Sequence, residues 1–144
     1  MSILKQAGVS AISVDLSTSV MRAIALMKEE EVDTLFVVKE GVLLGAFTQR
    51  DVTFRVVLDR RDPETTTVGE VMTSPAITLA ANATIADAIR LMAEHRVPQV
   101  PIVDDRKSIK GMVTLRDIFR EQTAALTQEL DSLIAYQSAD GIGG

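Results

Sequence analysis

Apolar side chains fall at Val20, Ala23, Ile24 and Met27, and the same arrangement recurs at Ile85, Ala88, Ile89 and Met92. A spacing of i, i+3, i+4, i+7 places each set on one face of a helix, so two amphipathic helices are predicted. After each helix the period changes. The short apolar runs LFVV (35–38) and VPIV (100–103) lie between charged or turn residues and predict buried strands. A second strand follows each across a tight turn, VLLGAF and IKGMV. A further apolar piece precedes each helix, ISV (12–14) and ITL (77–79), and another helix is expected to begin near Thr48 and again near Thr114.

The two series are one unit written twice. A shift of 65 positions pairs Val20 with Ile85, Ala23 with Ala88, Met27 with Met92, Val32 with Val97 and Val38 with Val103. One inserted residue then moves the shift to 66, and Gly45, Thr48, Arg50 and Asp51 meet Gly111, Thr114, Arg116 and Asp117. Each copy is strand, helix, strand, strand, helix. A unit of about 60 residues buries both faces of its small sheet poorly by itself. The fold expected is therefore α+β: two pseudo-symmetric β-α-β-β-α repeats packed sheet against sheet, with an extended C-terminal helix.

The boundaries follow from the same pattern: 8–60 for the first repeat, 61–70 for a linker, 71–120 for the second repeat, 121–137 for the helical extension and 138–144 for a loose tail. The stretch DRRDPETTT (59–67) is charged, holds Pro63 and lacks a period, as a surface connection does. Beyond the second repeat Leu126, Leu130, Leu133 and Ile134 form an apolar stripe. That stripe must pack back on the module, contact a second subunit or engage a partner.

Composition narrows the function. Of 144 residues 47% are hydrophobic and 24% charged, which suits a folded soluble domain. With only 3% aromatic residues there is no platform on which nucleic-acid bases stack, and a net charge of -5 without a basic run disfavours a polyanion, so no nucleic-acid partner is expected. The absence of Cys removes thiolate chemistry and disulfides, and a single His, His95, makes a zinc site improbable. His95 stands at the end of a predicted helix, where a cation suits the dipole, and is assigned a structural role. No apolar run reaches the roughly 20 residues of a membrane helix and no signal peptide is evident, so a cytoplasmic protein without a membrane partner is expected.

The repeated Gly-x-x-Thr-x-Arg-Asp is the candidate site. Thr-x-x-Asp is first of all a helix cap, in which the Thr accepts from the N3 amide while the Asp reaches back. Thr84 with Asp87, and Thr67 with Glu70, show the same or a similar spacing. What distinguishes Thr48 and Thr114 is the preceding strand with its Gly, which sets a helix N-terminus at the strand's end, where an anion is favoured. There Asp51 or Asp117 can accept from hydroxyl donors, and the Thr with Arg50 or Arg116 can meet an anion, which the resemblance given next implies are a ribose and a phosphate.

With VMTSPAITL leading into a helix and HRVPQVPIVDD after it, these motifs resemble a tandem pair of CBS domains, a Bateman module, over roughly residues 8 to 120. The resemblance implies a stand-alone regulatory module, not an enzyme. It would bind an adenosyl effector such as AMP, ADP, ATP or S-adenosylmethionine, use no catalytic cofactor, commonly form a homodimer, and relay the ligand state to an effector protein. It also implies two clefts. One would combine Thr48, Gln49, Arg50 and Asp51 with Thr73, Pro75, Ile77, Thr78, Val97, Gln99 and Val100; the other Thr114, Arg116 and Asp117 with Val9, Ile12, Ser13, Val32, Thr34 and Leu35. Gly8 stands near where the pattern expects a Thr, and Asp33 brings a carboxylate close to the base in the second cleft. The alternative is a structural or oligomerisation module with degenerate clefts. A hydrolase using Asp51 and Asp117 is disfavoured because nothing separates the two carboxylates into acid and base.

Overall fold

The computed structural model describes residues 11–141, and the side chains of 11–136. The first repeat consists of β1 (Ser13–Asp15), α1 (Val20–Glu30), β2 (Thr34–Lys39), β3 (Val42–Thr48) and α2 (Gln49–Asp51), which runs on as a π-helical segment, Val52–Val57. A single turn, α3 (Val68–Val71), precedes the second repeat of β4 (Leu79–Ala80), α4 (Ile85–His95), β5 (Gln99–Val103), β6 (Ile109–Thr114) and α5 (Leu115–Gly141). Each repeat forms a three-stranded sheet whose middle strand, β2 or β5, is parallel to the first and antiparallel to the third. A parallel pair needs a crossover, which α1 and α4 supply. Both antiparallel ladders shift register at the same place, between Val37 and Val38 and between Ile102 and Val103.

Local chemistry fixes the element ends. The Ser19 hydroxyl accepts from the Arg22 amide at the start of α1, and the helix stops at Glu31 with φ 56. Between β2 and β3, Glu40 and Gly41 take φ 52 and 81. Two successive positive φ values make the mirror-image turn that suits the twist of a hairpin, and Gly41 adopts it without steric cost.

Strand alternation divides the apolar residues among three clusters. Leu35, Val37 and Phe47 join Val20, Ala23 and Met27 of α1 in one, while Val100, Ile102 and Val113 join Ala88 and Met92 of α4 in another. Phe36, Leu43 and Met112 form the third, with Val38, Ala46, Val103 and Ile109 around them. That third cluster draws on both sheets and is where the repeats meet, as expected of sheet-on-sheet packing.

The structure departs from the sequence pattern or narrows its alternatives at four places. Val68 and Val71 are fully enclosed in the first repeat's cluster, and the amides of Val20 and Val68 donate to Thr66 O and Thr18 O, each at 2.8 Å. The connection between repeats is thus anchored in the first core at its C-terminal end, because one helical turn brings both valines to the same side. On α4, Ile89 is 44% exposed, so that helix buries a narrower face than its spacing predicts. On α5, Leu126, Leu130, Leu133 and Ile134 are all at least half exposed, so the stripe does not fold back onto the module. The α5 backbone continues to Gly141, into the segment expected to be a tail.

Candidate ligand-binding clefts

Both repeats end a strand on Thr and start a helix with Asp three residues on, yet the two sites differ in detail. At the first, the Thr48 hydroxyl accepts from the Asp51 amide at 3.4 Å and Asp51 Oδ2 accepts from the Thr48 amide at 2.9 Å, a complete capping box. Asp51 is only 4% exposed. Its other oxygen, Oδ1, accepts from the Thr73 hydroxyl at 3.0 Å and lies 3.6 Å from Arg55 Nε. Arg55 in turn donates to Met72 O at 2.8 Å, so residues 72 and 73 are both tied to the helix start.

Gly45 makes that approach possible. A Cβ built there would lie 2.6 Å from Thr73 O and 2.8 Å from the Met72 sulfur, and Ala46 and Thr73 exchange two backbone hydrogen bonds of 2.9 Å. The glycine of the motif is therefore needed for close passage of the neighbouring chain.

At the second site the Thr114 hydroxyl accepts from the Asp117 amide at 3.0 Å, but the return arm of the box is missing among the described residues. Asp117 is 9% exposed. Its Oδ1 lies 3.8 Å from an Arg120 nitrogen, and its Oδ2, though buried, has no hydrogen-bond partner among the described residues. The other two motifs behave as caps or less. Thr84 and Asp87 form a complete box at the protein surface, and the Thr84 amide and hydroxyl hold the Asp87 carboxyl below its usual range. Thr67 makes no side-chain cap bond at all. Spacing therefore gives several outcomes, and burial of the carboxylate separates the cleft residues from an ordinary cap.

Each buried carboxylate lines a cavity with walls from both repeats. About 490 Å³ opens beside Asp51, lined by Thr48 and Arg50 from the first repeat and by Thr73, Pro75, Ile77 and Val97 from the chain beyond it. A second space of about 300 Å³ shares Thr48, Arg50, Ile77 and Val97 with it and adds Thr34, Gln49 and Gln99. Beside Asp117 about 800 Å³ is lined by Thr114, Arg116, Val32 and Lys28, among others. Asp33, Gln49, Pro98 and Gln99 line both this cavity and the 300 Å³ one. The apolar walls at Pro75, Ile77 and Val97 suit a planar base, the carboxylates suit hydroxyl donors, and the arginines suit an anion.

Several expected contacts fall elsewhere. Leu35 and Val100 have no exposed surface and belong to the two helix-side cores, which corrects their assignment to the clefts. They lie between Thr34 and Phe36, and between Gln99 and Pro101, which do line the 300 Å³ space, and alternation turns the intervening residue to the other face. Thr34 lines the space nearer Asp51 rather than the Asp117 cavity. Ile12, Ser13 and Thr78 line none of the three cavities. Gly8 and Val9 lie outside the described residues.

Other cavity residues carry no obvious signal in the sequence. His95, assigned a structural role above, lines both spaces on the Asp51 side, and Arg96 lines one of them. Their adjacency to Val97, past a helix that ends at Arg96 with φ 55, is the cue that could have found them. Arg55 and Arg120 could have been found from helical spacing, being four and three residues after the two aspartates.

A family model described as "CBS domain" matches residues 9–57 and 68–124. The chain is 36% identical over 106 residues to the CBS domain-containing protein YhcV of Bacillus subtilis, covering 74% of each. It is 32% identical over 123 residues to the mitochondrial CBS domain-containing protein CBSX3 of Arabidopsis thaliana, covering 82% of this chain but 59% of that one. Among solved structures, the CBS domain pair of protein MJ0100, in complex with 5′-methylthioadenosine and S-adenosyl-L-methionine, superposes with a TM-score of 0.74 over 87% of this chain and 98% of that one, at 24% identity. No helix among the described residues is long and apolar enough to cross a membrane. Two family matches that together span most of the sequence, on a fold of two equivalent three-stranded sheets, place this chain in the CBS-domain family as a tandem pair.

Proposed function

We propose that the chain is a regulatory module that binds an adenosyl ligand, such as AMP, ADP, ATP or S-adenosylmethionine, in the clefts between its repeats. The observation that carries this reading is the pair of buried carboxylates, Asp51 and Asp117, each at a helix start and each on the wall of a cavity that both repeats line. A carboxylate so placed accepts from ribose hydroxyls, and the cations nearby, Arg50 and Arg116, meet a phosphate. The MJ0100 complex, with two adenosyl compounds on the same fold, supports the ligand class.

A ligand touching both repeats favours the packing in which it binds best and so biases their arrangement. The exposed stripe of α5 is the surface that carries this change to a second copy in a homodimer or to an effector protein. No reaction is assigned to the module. A thermal-shift series with AMP, ADP, ATP and S-adenosylmethionine tests the reading, since a ligand at about 100 times its Kd adds about 2.7 kcal/mol of stability. No shift with any of them would leave a structural module with degenerate clefts, the reading that the complete capping box at Asp51 favours.

A further inference from the structure

We propose that the charge of an adenosyl ligand decides which cleft it enters: Arg96 draws a phosphate chain, as in ADP or ATP, to the Asp51 side, while Glu31 turns such a chain away from the Asp117 side. This names the ligand class of each cleft and rests on the adenosyl reading.

Arg96 and Glu31 are equivalent residues. They stand 65 positions apart, the shift of the repeat, and each closes the helix that leads to its repeat's middle strand, Glu31 with φ 56 and Arg96 with φ 55. Left-handed backbone at a helix C-terminus favours Gly, and a larger residue is held there at some cost. Here both positions carry long charged side chains, and the signs are opposite. Arg96 lines the 300 Å³ space on the Asp51 side, and Glu31 lines the 800 Å³ space beside Asp117. The same local geometry thus sets a cation at one cleft and an anion at the other.

The remaining charges point the same way. Around the 300 Å³ space Arg50 and Arg96 outnumber Asp33, and His95 adds an imidazole donor. The Arg50 guanidinium lies over the Phe54 ring, 6.0 Å from its centroid, and neither Arg50 nor Arg96 forms an ion pair among the described residues. A guanidinium resting on a ring keeps its in-plane N–H donors available to phosphate oxygens. Asp51 does not cancel this charge, because Arg55 already lies beside it. In the 800 Å³ space Lys28, Arg116 and Arg120 meet Glu31, Asp33 and Asp117, so cations and carboxylates balance. An excess of cations favours a chain of several phosphates, and a balanced wall favours a ligand with one phosphate or none.

Isothermal titration of the full chain with ATP, AMP and S-adenosylmethionine tests the proposal, with each variant's melting curve recorded to confirm folding. Gly suits the left-handed backbone at both positions, so Arg96→Gly and Glu31→Gly remove the charge without straining the chain. Wild type is expected to bind ATP more tightly than S-adenosylmethionine. Arg96→Gly should weaken ATP about 3- to 10-fold, the scale of one exposed cation against several phosphate charges, and change S-adenosylmethionine less than about twofold. AMP should fall between them. Glu31→Gly should hold or tighten ATP. ATP bound no better than S-adenosylmethionine by wild type, equal losses of the two in Arg96→Gly, or a loss of ATP in Glu31→Gly as large as in Arg96→Gly would overturn the proposal and leave the adenosyl reading intact. Folded wild type that binds none of the three would remove both.

Discussion

Thr73 donates its hydroxyl to Asp51 Oδ1 at 3.0 Å across 22 positions of the chain. The bond fastens the entry of the second repeat to the cap of the first repeat's last helix. Cap, inter-repeat contact and cleft wall are thus the same few atoms.

Asp51→Ala should therefore destabilise the protein markedly. It removes a capping arm and a buried hydrogen bond together, and the loss is expected at about 2–3 kcal/mol in urea unfolding. A change below half a unit on that scale would show that the network contributes nothing to folding.

Asp117→Asn should act in the opposite direction in the absence of ligand. Replacing an incompletely paired buried carboxylate by a neutral amide of the same shape is expected to add about 1 kcal/mol, or roughly 2–4 °C in Tm. A lower Tm than wild type would indicate that Asp117 is a structural cap like Asp51.

Gly45→Ala probes the close passage of residues 72 and 73. The added Cβ meets backbone at 2.6 Å, a contact that only a shift of the chain relieves, so a cost of about 1–3 kcal/mol is expected. Wild-type stability in this variant would show that the 72–73 segment yields freely.

Acid should weaken the fold through its surface turns. The Ser17 hydroxyl holds the Asp15 carboxyl below its usual range, and the Thr84 and Ser108 amides do the same for Asp87 and Asp104. A depressed folded pKa gives stability that is present above the unfolded value, about 3.9, and lost as pH falls through the lower folded value. The urea midpoint should hold steady from neutrality to about pH 5 and fall below about pH 4, less steeply in Asp87→Asn. An equal slope in that variant would remove Asp87 from the account.

The α5 stripe is testable by mass. Wild type should run in light scattering as twice its 15.6 kDa, and Leu126→Glu with Leu133→Glu should halve it without lowering Tm. A monomeric wild type would assign the stripe to a different protein.

Much of the architecture could be read from spacing alone, because helix and strand periods and a duplicated motif leave few alternatives for Val20 to Asp51 and Ile85 to Asp117. The cleft was legible less evenly. Thr48 and Asp51 are local partners, and their spacing predicts their geometry. Whether the Asp51 carboxylate is satisfied depends on Thr73, 22 positions further along the chain, and no local pattern carries that. Leu35 and Val100 were misplaced because a resemblance transfers neighbours, whereas a strand turns alternate residues apart. VGEV, one helical turn, is too short to display the period that would have marked Val68 and Val71 as core.

Asp33, Gln49, Pro98 and Gln99 form a partition between the 300 Å³ and 800 Å³ spaces. A ligand that displaced these shared residues from one side would reshape the space on the other, so two occupants would be coupled without touching. Thermodynamic reciprocity then fixes the bookkeeping: if the first occupant changes the second's affinity by some factor, the second changes the first's by that same factor.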